Sequence, residues 1–368
     1  MAKIGVGIIG ASHNGWAALG HVPALKALPD YELRAISTTR RESAEAAAEK
    51  FGVPAAYDNH HDLIARSDVD LVVVAVKVSH HHPLVSAALE AGKAVYSEWP
   101  LGADHDEALD LAARARTAGV RTAIGLQGRF APAVRHAADL IAEGYVGKVL
   151  GTTLVGSGVA WGGETDRSHA YIFDGTSGAA TLEVPVMHAL DAVNYVVGEF
   201  DEVSAQLVRG RTQVRLTDED ITIPVTAPDQ VSVTGTLRSG AAASIFYRGA
   251  HSRGSNMRWE INGTEGDLIL TASGINGNLQ VVDLVLEGGH GSDVAAAPID
   301  IPDRYFDGVP RHLTGPAHNV AQVYAALARD LREGTTTVPG FDHALVQHRL
   351  LDTIKQSSRT RASQTFRG

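Results

Sequence analysis

The sequence predicts an α/β protein: an N-terminal doubly wound parallel sheet of the nucleotide-binding kind, then an α+β domain built on a large, mostly antiparallel open sheet. Three observations carry this. Up to residue 125, short β-branched runs alternate with stretches of helical periodicity. A glycine-rich turn, Gly10-Ala11-Ser12-His13-Asn14-Gly15, joins the first strand to the first helix. Beyond Gln127, period-two apolar runs replace the alternation.

In order, the apolar runs at 3–9, 31–37, 70–76, 93–97 and 120–125 read as buried parallel strands. The stretches 15–28, 41–51, 80–92 and 104–118 read as helices, with Gly52, Gly92 and Gly119 suited to their carboxyl ends. A helix over 131–143 opens the second part, and strands follow at 149–155, 203–209, 230–237, 241–247, 257–261, 267–271 and 279–286. A helix at 185–197 interrupts them, with Pro185 suited to its first turn, and helices at 317–333 and 341–356 close the chain. The expected division is 1–128 for dinucleotide binding and 129–368 for substrate and oligomerisation, with the closing helices of 317–356 packing back on the first domain. The loops 158–180 and 287–315 are long enough to suggest function.

Composition narrows the classes. The chain has 368 residues, 44% hydrophobic and 20% charged, with a formal net charge of −10. An acidic chain has no basic surface with which to neutralise phosphates, which argues against direct nucleic-acid binding. The absence of cysteine removes disulfides, thiolate zinc sites and cysteine nucleophiles. No signal-like or membrane-spanning apolar run is present, so the expected location is the cytoplasm, without membrane contact.

Strand, glycine turn and helix together form the context in which a pyrophosphate sits at a helix N-terminus, contacted by the backbone of Gly10, Ser12, His13, Asn14 and Gly15. Ser12 stands where the middle glycine is usual and leaves less room. After the second strand, an NAD site carries an acid on the ribose hydroxyls, but this chain reads Ile36-Ser37-Thr38-Thr39-Arg40-Arg41. Hydroxyls from Ser37 and Thr38 with the guanidinium of Arg40 suit a 2′-phosphate, so NADP is expected over NAD. The alternative is a solvated helix start capped by Ser37 or Thr39.

Several segments in register resemble the Gfo/Idh/MocA oxidoreductase family: Gly10 to Gly15; Ala87 to Lys93 leading to Glu98-Trp99-Pro100-Leu101; Gly125-Leu126-Gln127-Gly128-Arg129-Phe130; His188-Ala189-Leu190-Asp191; and Asn262-Gly263-Thr264-Glu265-Gly266. The resemblance covers nearly the whole chain. It implies a nicotinamide at the carboxyl edge of the parallel strands, with Val76, Lys77, His81, Glu98, Trp99 and Gln127 joining the cofactor site. It also implies a sugar-like substrate, and a homodimer or homotetramer formed through the second sheet.

Two chemical positions depart from the family. Hydride transfer to or from an alcohol needs a group that moves the hydroxyl proton and a cation beside the oxygen. The family's Glu-Lys-Pro is Glu98-Trp99-Pro100 here, and an indole cannot shuttle a proton. Four residues before His188, the family's acid is replaced by Val184, with Glu183 adjacent. His188 remains the candidate acid/base, the alternative being a core histidine above Asp191. Lys77, after the third long strand, is a candidate replacement cation or a phosphate ligand.

Trp161 and Tyr171, in the 158–180 loop, either stack on a sugar or anchor the loop, while Arg129 and Glu183 offer polar contacts. His60-His61 and His80-His81-His82 are read as solvated or capping residues, with no metal expected. A second reading comes from Gly15-Trp16, Val76-Lys77-Val78 and the missing lysine, which are similar to the fungal galactose-regulon repressor. It makes the chain a catalytically silent dinucleotide-binding regulator acting through a protein partner.

Overall fold

The computed structural model describes residues 2–368. The chain divides into two compact units, Met1–Gln127 with Phe306–His348, and Gly128–Tyr305 with Arg349–Gly368. In the first, β1 (Ile4–Ile9), β2 (Tyr31–Ser37), β3 (Ala56–Tyr57), β4 (Leu71–Val74), β5 (Ala94–Glu98) and β6 (Thr122–Gly125) form one sheet in the order β3-β2-β1-β4-β5-β6. Every pair in it is parallel. The expected strands are all present. Their cores are continuous apolar runs because both faces are covered, as in Val6, Ile8, Val72, Val73 and Val95, all fully buried.

The expected helix at 15–28 is two helices, α1 (Trp16–Leu19) and α2 (His21–Ala27). The reason is Pro23, which has no N–H to continue the ladder and is tolerated only in a first turn, so the helix restarts at His21. Helices α3 (Arg41–Phe51), α4 (His60–Ile64), α5 (His81–Glu90) and α6 (His105–Ala118) follow. Strand β3 and helix α4 are too short for periodicity to reveal; α4 is set by Asn59, whose side chain accepts from the Asp62 N–H at 2.9 Å.

The second unit opens with α7 (Pro132–Ala142) and β7 (Val149–Gly158). After a short strand β8 (Glu164–Thr165), a π turn at Leu182–Val186 leads into α8 (Met187–Val197). Pro185 therefore lies inside the π turn and not in the first turn of the α-helix. Lacking an N–H, it cannot bond the Thr181 carbonyl in α register, and that carbonyl accepts from Val186 instead, at 3.2 Å.

The remaining strands are β9 (Phe200–Val208), β10 (Gln213–Leu216), β11 (Ile221–Pro224), β12 (Gln230–Leu237), β13 (Ala242–Gly249), β14 (Met257–Gly263), β15 (Gly266–Ala272), β16 (Val285–His290), β17 (Ala297–Pro298) and β18 (Gln364–Thr365). Nine form the large sheet, ordered β17-β16-β15-β14-β7-β13-β12-β9-β18, and β11-β10-β8 form a small one. Within the large sheet only β13 and β7 run parallel. The run 279–286 is a 3-10 turn at Leu279–Val281 followed by β16, not one strand. Alternation is clear on β12 and β13, where Val231, Val233, Ile245 and Tyr247 are buried and Thr234, Ser244 and Phe246 are exposed. Helices α9 (Gly315–Glu333) and α10 (Phe341–Thr360) complete the chain; α9 belongs to the first unit, and α10 continues from the first into the second.

Candidate functional site

In the first unit, the turn after β1 and the ends of β2, β4 and β5 gather at the carboxyl edge of the parallel sheet, where this topology binds nucleotides. Gly10 has φ +96, and a Cβ there would lie 2.4 Å from the Ala75 carbonyl oxygen, so no side chain fits. A Cβ on Gly15 would meet the Ser12 hydroxyl at 2.6 Å. The turn keeps the close backbone approach a pyrophosphate requires, with Ser12, His13 and Asn14 exposed. Lys50, on the last turn of α3, donates to the His13 carbonyl at 2.7 Å and holds the turn from outside. Its distance in sequence gave no signal of this contact.

At the end of β2, Ser37 is buried and its carbonyl accepts from Gly10 N–H at 2.9 Å. Thr38 donates to the Arg40 carbonyl at 2.9 Å and touches Ser43 Oγ, which commits its hydroxyl to the start of α3. Arg40 itself takes the N-cap position, not Ser37 or Thr39, and its side chain makes no capping bond among the described residues. Arg41 is paired with Glu45 at 2.6 Å, whereas Arg40 is exposed with no ion pair among the described residues. One of the two neighbouring guanidiniums is thus outside any ion pair among the described residues.

Val76 and exposed Lys77 follow β4. Buried His81 sits between two carbonyls, Nδ1 2.8 Å from Pro100 and Nε2 3.1 Å from Val76. Burial lowers its pKa, and the neutral ring donates to one of the two carbonyls. Trp99 is 4% exposed, and its ring lies 4.8 Å from that of His348 of α10 with the planes tilted by 52°. Gln127 is buried, and its Oε1 has no hydrogen-bond partner among the described residues.

Glu98 ends β5 beside a buried chain that sequence reasoning missed. Its Oε1 lies 2.9 Å from His21 Nε2, and His21 Nδ1 lies 2.7 Å from the Tyr324 hydroxyl. Burial pushes the phenols of Tyr324 and Tyr96 well up, so both stay protonated. The chain is satisfied with Tyr324 donating to His21 and His21 donating to Glu98. A Cβ on Gly125 would lie 2.7 Å from Glu98 Oε1, so that glycine leaves room for the carboxylate.

In the second unit, His188 is the second residue of α8 and 3% exposed. Asp191, fully buried one turn on, is gripped by Arg129 through two bonds of 2.7 and 2.5 Å, and the Arg129 guanidinium covers the Tyr195 ring at 5.3 Å. Arg129 therefore positions α8 through Asp191. Glu183 is buried in the π turn with Lys355 Nζ 2.8 Å from its Oε1. Trp161 belongs to an apolar cluster with Ile172, Phe173 and Val214, its indole N–H donating to the Ala179 carbonyl at 3.1 Å; Tyr171 and Val184 pack at the edge of that cluster. The tryptophan anchors the loop. Burial also raises the Tyr171 pKa.

Among the described residues, no three His, Asp or Glu side chains are grouped to hold a metal, and no helix is long and apolar enough to cross a membrane. His82 pairs with Asp110 at 2.7 Å, and the His60 and His61 rings lie 4.0 Å apart. A cleft of about 450 Å³ beside Lys3, Tyr31 and Phe51 opens at the amino edge of the parallel sheet, away from all these groups.

Two family profiles match the chain: the oxidoreductase family with an NAD-binding Rossmann fold over residues 4–126, and the Gal80p C-terminal domain over residues 132–272. The first unit thus carries a domain like that of the Gfo/Idh/MocA oxidoreductases, and the chain is similar to that family. Its second unit resembles the C-terminal domain of Gal80. Dehydrogenase aclE of Aspergillus oryzae is 29% identical over 346 residues, 92% of this chain and 90% of that protein. The galactose/lactose metabolism regulatory protein GAL80 of Saccharomyces cerevisiae is 27% identical over 410 residues, 97% of this chain and 93% of that protein. A super-repressor mutant of that Gal80p has a solved structure with a TM-score of 0.89, at 24% identity over 99% of this chain and 98% of that one. Levoglucosan dehydrogenase, in complex with NADH and L-sorbose, has a TM-score of 0.87 at 22% identity over 99% of both chains. Dehydrogenase and regulator share one fold, so the fold does not choose between them.

Proposed function

We propose that the protein is an NADP(H)-dependent oxidoreductase that transfers hydride to or from a sugar, cyclitol or related hydroxyl or carbonyl compound. The observation that carries the reading is the intact nucleotide edge: a turn at Gly10 that excludes any side chain, followed by an exposed Arg40 and no acid at the end of β2. When bound, the nicotinamide supplies the hydride chemistry. The turn Gly10 to Gly15 would hold the pyrophosphate and Arg40 the 2′-phosphate, while the buried Gln127 carboxamide offers an acceptor to an amide donor. His188 takes the hydroxyl proton in oxidation and returns it in reduction. Arg129 and Asp191 fix the helix that carries it. Tyr171 remains the aromatic candidate for the apolar face of a sugar, since Trp161 is spent on the loop core. The working location is the cytoplasm, and the assembly is a homodimer or homotetramer formed through the open face of the nine-stranded sheet.

The test follows deuterium by mass spectrometry from 4-deuterated NADPH into a pool of sugars, keto-sugars and cyclitols, with L-sorbose included. Label in a product is the expected result, and His188→Ala should lower its rate at least tenfold, toward the roughly 10²–10⁴ of general acid/base groups. The second reading, a catalytically silent regulator, is favoured by Trp99 in the Glu98-Trp99-Pro100 triplet and by the similarity to GAL80. Tight NADPH binding with no label transferred across the pool would select it. Failure of both NADPH and NADH to bind would remove both.

A further inference from the structure

Three asparagines precede a glycine in this chain: Asn14-Gly15, Asn262-Gly263 and Asn276-Gly277. Asparagine is a thermolabile residue, and most so before glycine, where no Cβ keeps the following backbone nitrogen from the side-chain carbonyl carbon. Ring closure asks three things of the fold. The carboxamide must be free to turn, the glycine N–H must be weakly held, and water must have access.

Two of the pairs are locked. Asn262 lies in β14, opposite Asp267 of β15 on one side and Gly151 of β7 on the other, and its Nδ2 donates to Asp267 Oδ1 at 2.9 Å. A Cβ on Gly263 would lie 2.0 Å from the Val146 carbonyl oxygen, so that backbone has no room to swing. Asn276 Oδ1 accepts from Asn278 N–H at 3.0 Å, and buried Gly277 donates to the Ser157 carbonyl at 3.0 Å. Packing there is as tight, a Cβ on Gly277 falling 1.9 Å from the Asn256 carbonyl oxygen. Asn14 is different. It is exposed in the turn between β1 and α1, and its carboxamide has no hydrogen bond among the described residues. The Gly15 N–H reaches the Ser12 carbonyl at 3.3 Å, a long bond for an amide. Lys50 clamps the His13 carbonyl, one residue earlier, and leaves the Asn14 side chain outside the clamp.

We propose that Asn14-Gly15 is a site of spontaneous deamidation, and that the carboxylate it produces shuts the glycine turn to anions. The shutting rests on the nucleotide-binding reading; the deamidation does not. In the first step the Gly15 nitrogen attacks Asn14 Cγ, and a C–N bond forms as the bond from Cγ to the side-chain nitrogen breaks and ammonia leaves with the amide proton. Water then adds to one carbonyl of the resulting cyclic imide and breaks one C–N bond. Opening at Cγ gives aspartate; opening at the main-chain carbonyl gives isoaspartate, whose backbone runs through Cβ and Cγ and is one methylene longer. Both products place a negative charge in the turn. The longer backbone also disturbs the approach of Gly15 to Ser12, where a Cβ on the glycine would already meet the Ser12 hydroxyl at 2.6 Å.

The experiment incubates the full chain in mildly alkaline buffer made with water enriched in heavy oxygen. Peptide mapping by mass spectrometry reads the label at each of the three pairs, and NADPH is titrated against the same samples. Label should enter at Asn14 at least about tenfold faster than at Asn262 or Asn276, because those two must first open locally. NADPH should bind the converted protein at least about tenfold more weakly, since a carboxylate now faces its phosphates. Asn14→Gln, which closes the ring far more slowly, should keep its own starting affinity through the incubation, and Asn14→Asp should begin at the weakened value. Equal labelling of the three pairs, or label entering at Asn262 or Asn276 first, would overturn the site. Label at Asn14 with NADPH affinity unchanged would overturn its effect on the turn. If fresh protein binds no NADPH, the nucleotide reading falls and the shutting falls with it, while the label still decides the site.

Discussion

Arg40 and Arg41 are neighbours with identical chemistry, yet only one is available. Arg41 faces Glu45 one turn along α3, an i,i+4 pair, while Arg40 takes the N-cap position and stays exposed. Sequence showed that two guanidiniums stood where an acid is usual; it did not show which was already engaged. Arg40→Ser should therefore weaken NADPH at least tenfold and leave NADH within twofold, as titrations followed by nucleotide fluorescence would show. Equal weakening of both would place Arg40 in support of the turn and not against a 2′-phosphate. The hydroxyls were less legible. Thr38 reads as a ligand in sequence, and in the structure its Oγ1 donates to the Arg40 carbonyl two residues on.

Elements with strong periodicity were readable to within a few residues: α3 and β2 lie where the pattern puts them, as do β12 and α7. Local chemistry that breaks periodicity was not. Pro23 divides a helix, and Pro185 converts a first turn into a π turn. The end of α9 shows a further case, in which one carboxylate builds a loop. Asp330 accepts from Thr335 Oγ1, from the N–H and hydroxyl of Thr337, from Val338 N–H and from Arg121, at 2.6 to 2.9 Å. Burial alone would raise its pKa, but these donors together hold it well below the usual carboxylate range. A depressed folded value means stability that is present above the unfolded pKa of about 3.9 and lost as pH falls through the folded one. Asp330→Asn should cost about 3 kcal/mol at pH 7, and urea melts should show that cost shrinking as pH falls below about 4.

At the scale of the molecule, one face of the large sheet carries exposed apolar side chains. Along one row across it, Gln206, Ser232, Phe246, Val155, Arg258, Thr271 and Val285 stand side by side, with Phe246 and Val285 exposed. If this face joins copies of the chain, Phe246→Asp should move the sedimentation coefficient from oligomer to monomer at micromolar concentration; no change would put the interface elsewhere. The inner face is set by pairs such as Trp259, whose indole N–H donates to Thr152 Oγ1 at 2.8 Å, contacts between residues far apart in sequence. That separation marks what each level of description supplies. Sequence by itself determined the strand and helix periods, the glycine turn and the missing acid after β2, because each depends on residue types at short spacing; Trp99 reads as a missing lysine only through the family resemblance. Only the tertiary structure decided which arginine is free of ion pairs, that Trp161 supports its loop, that Lys50 braces the His13 turn and that Lys355 meets Glu183, because those partners are brought together by packing across long stretches of chain, where no periodicity records them.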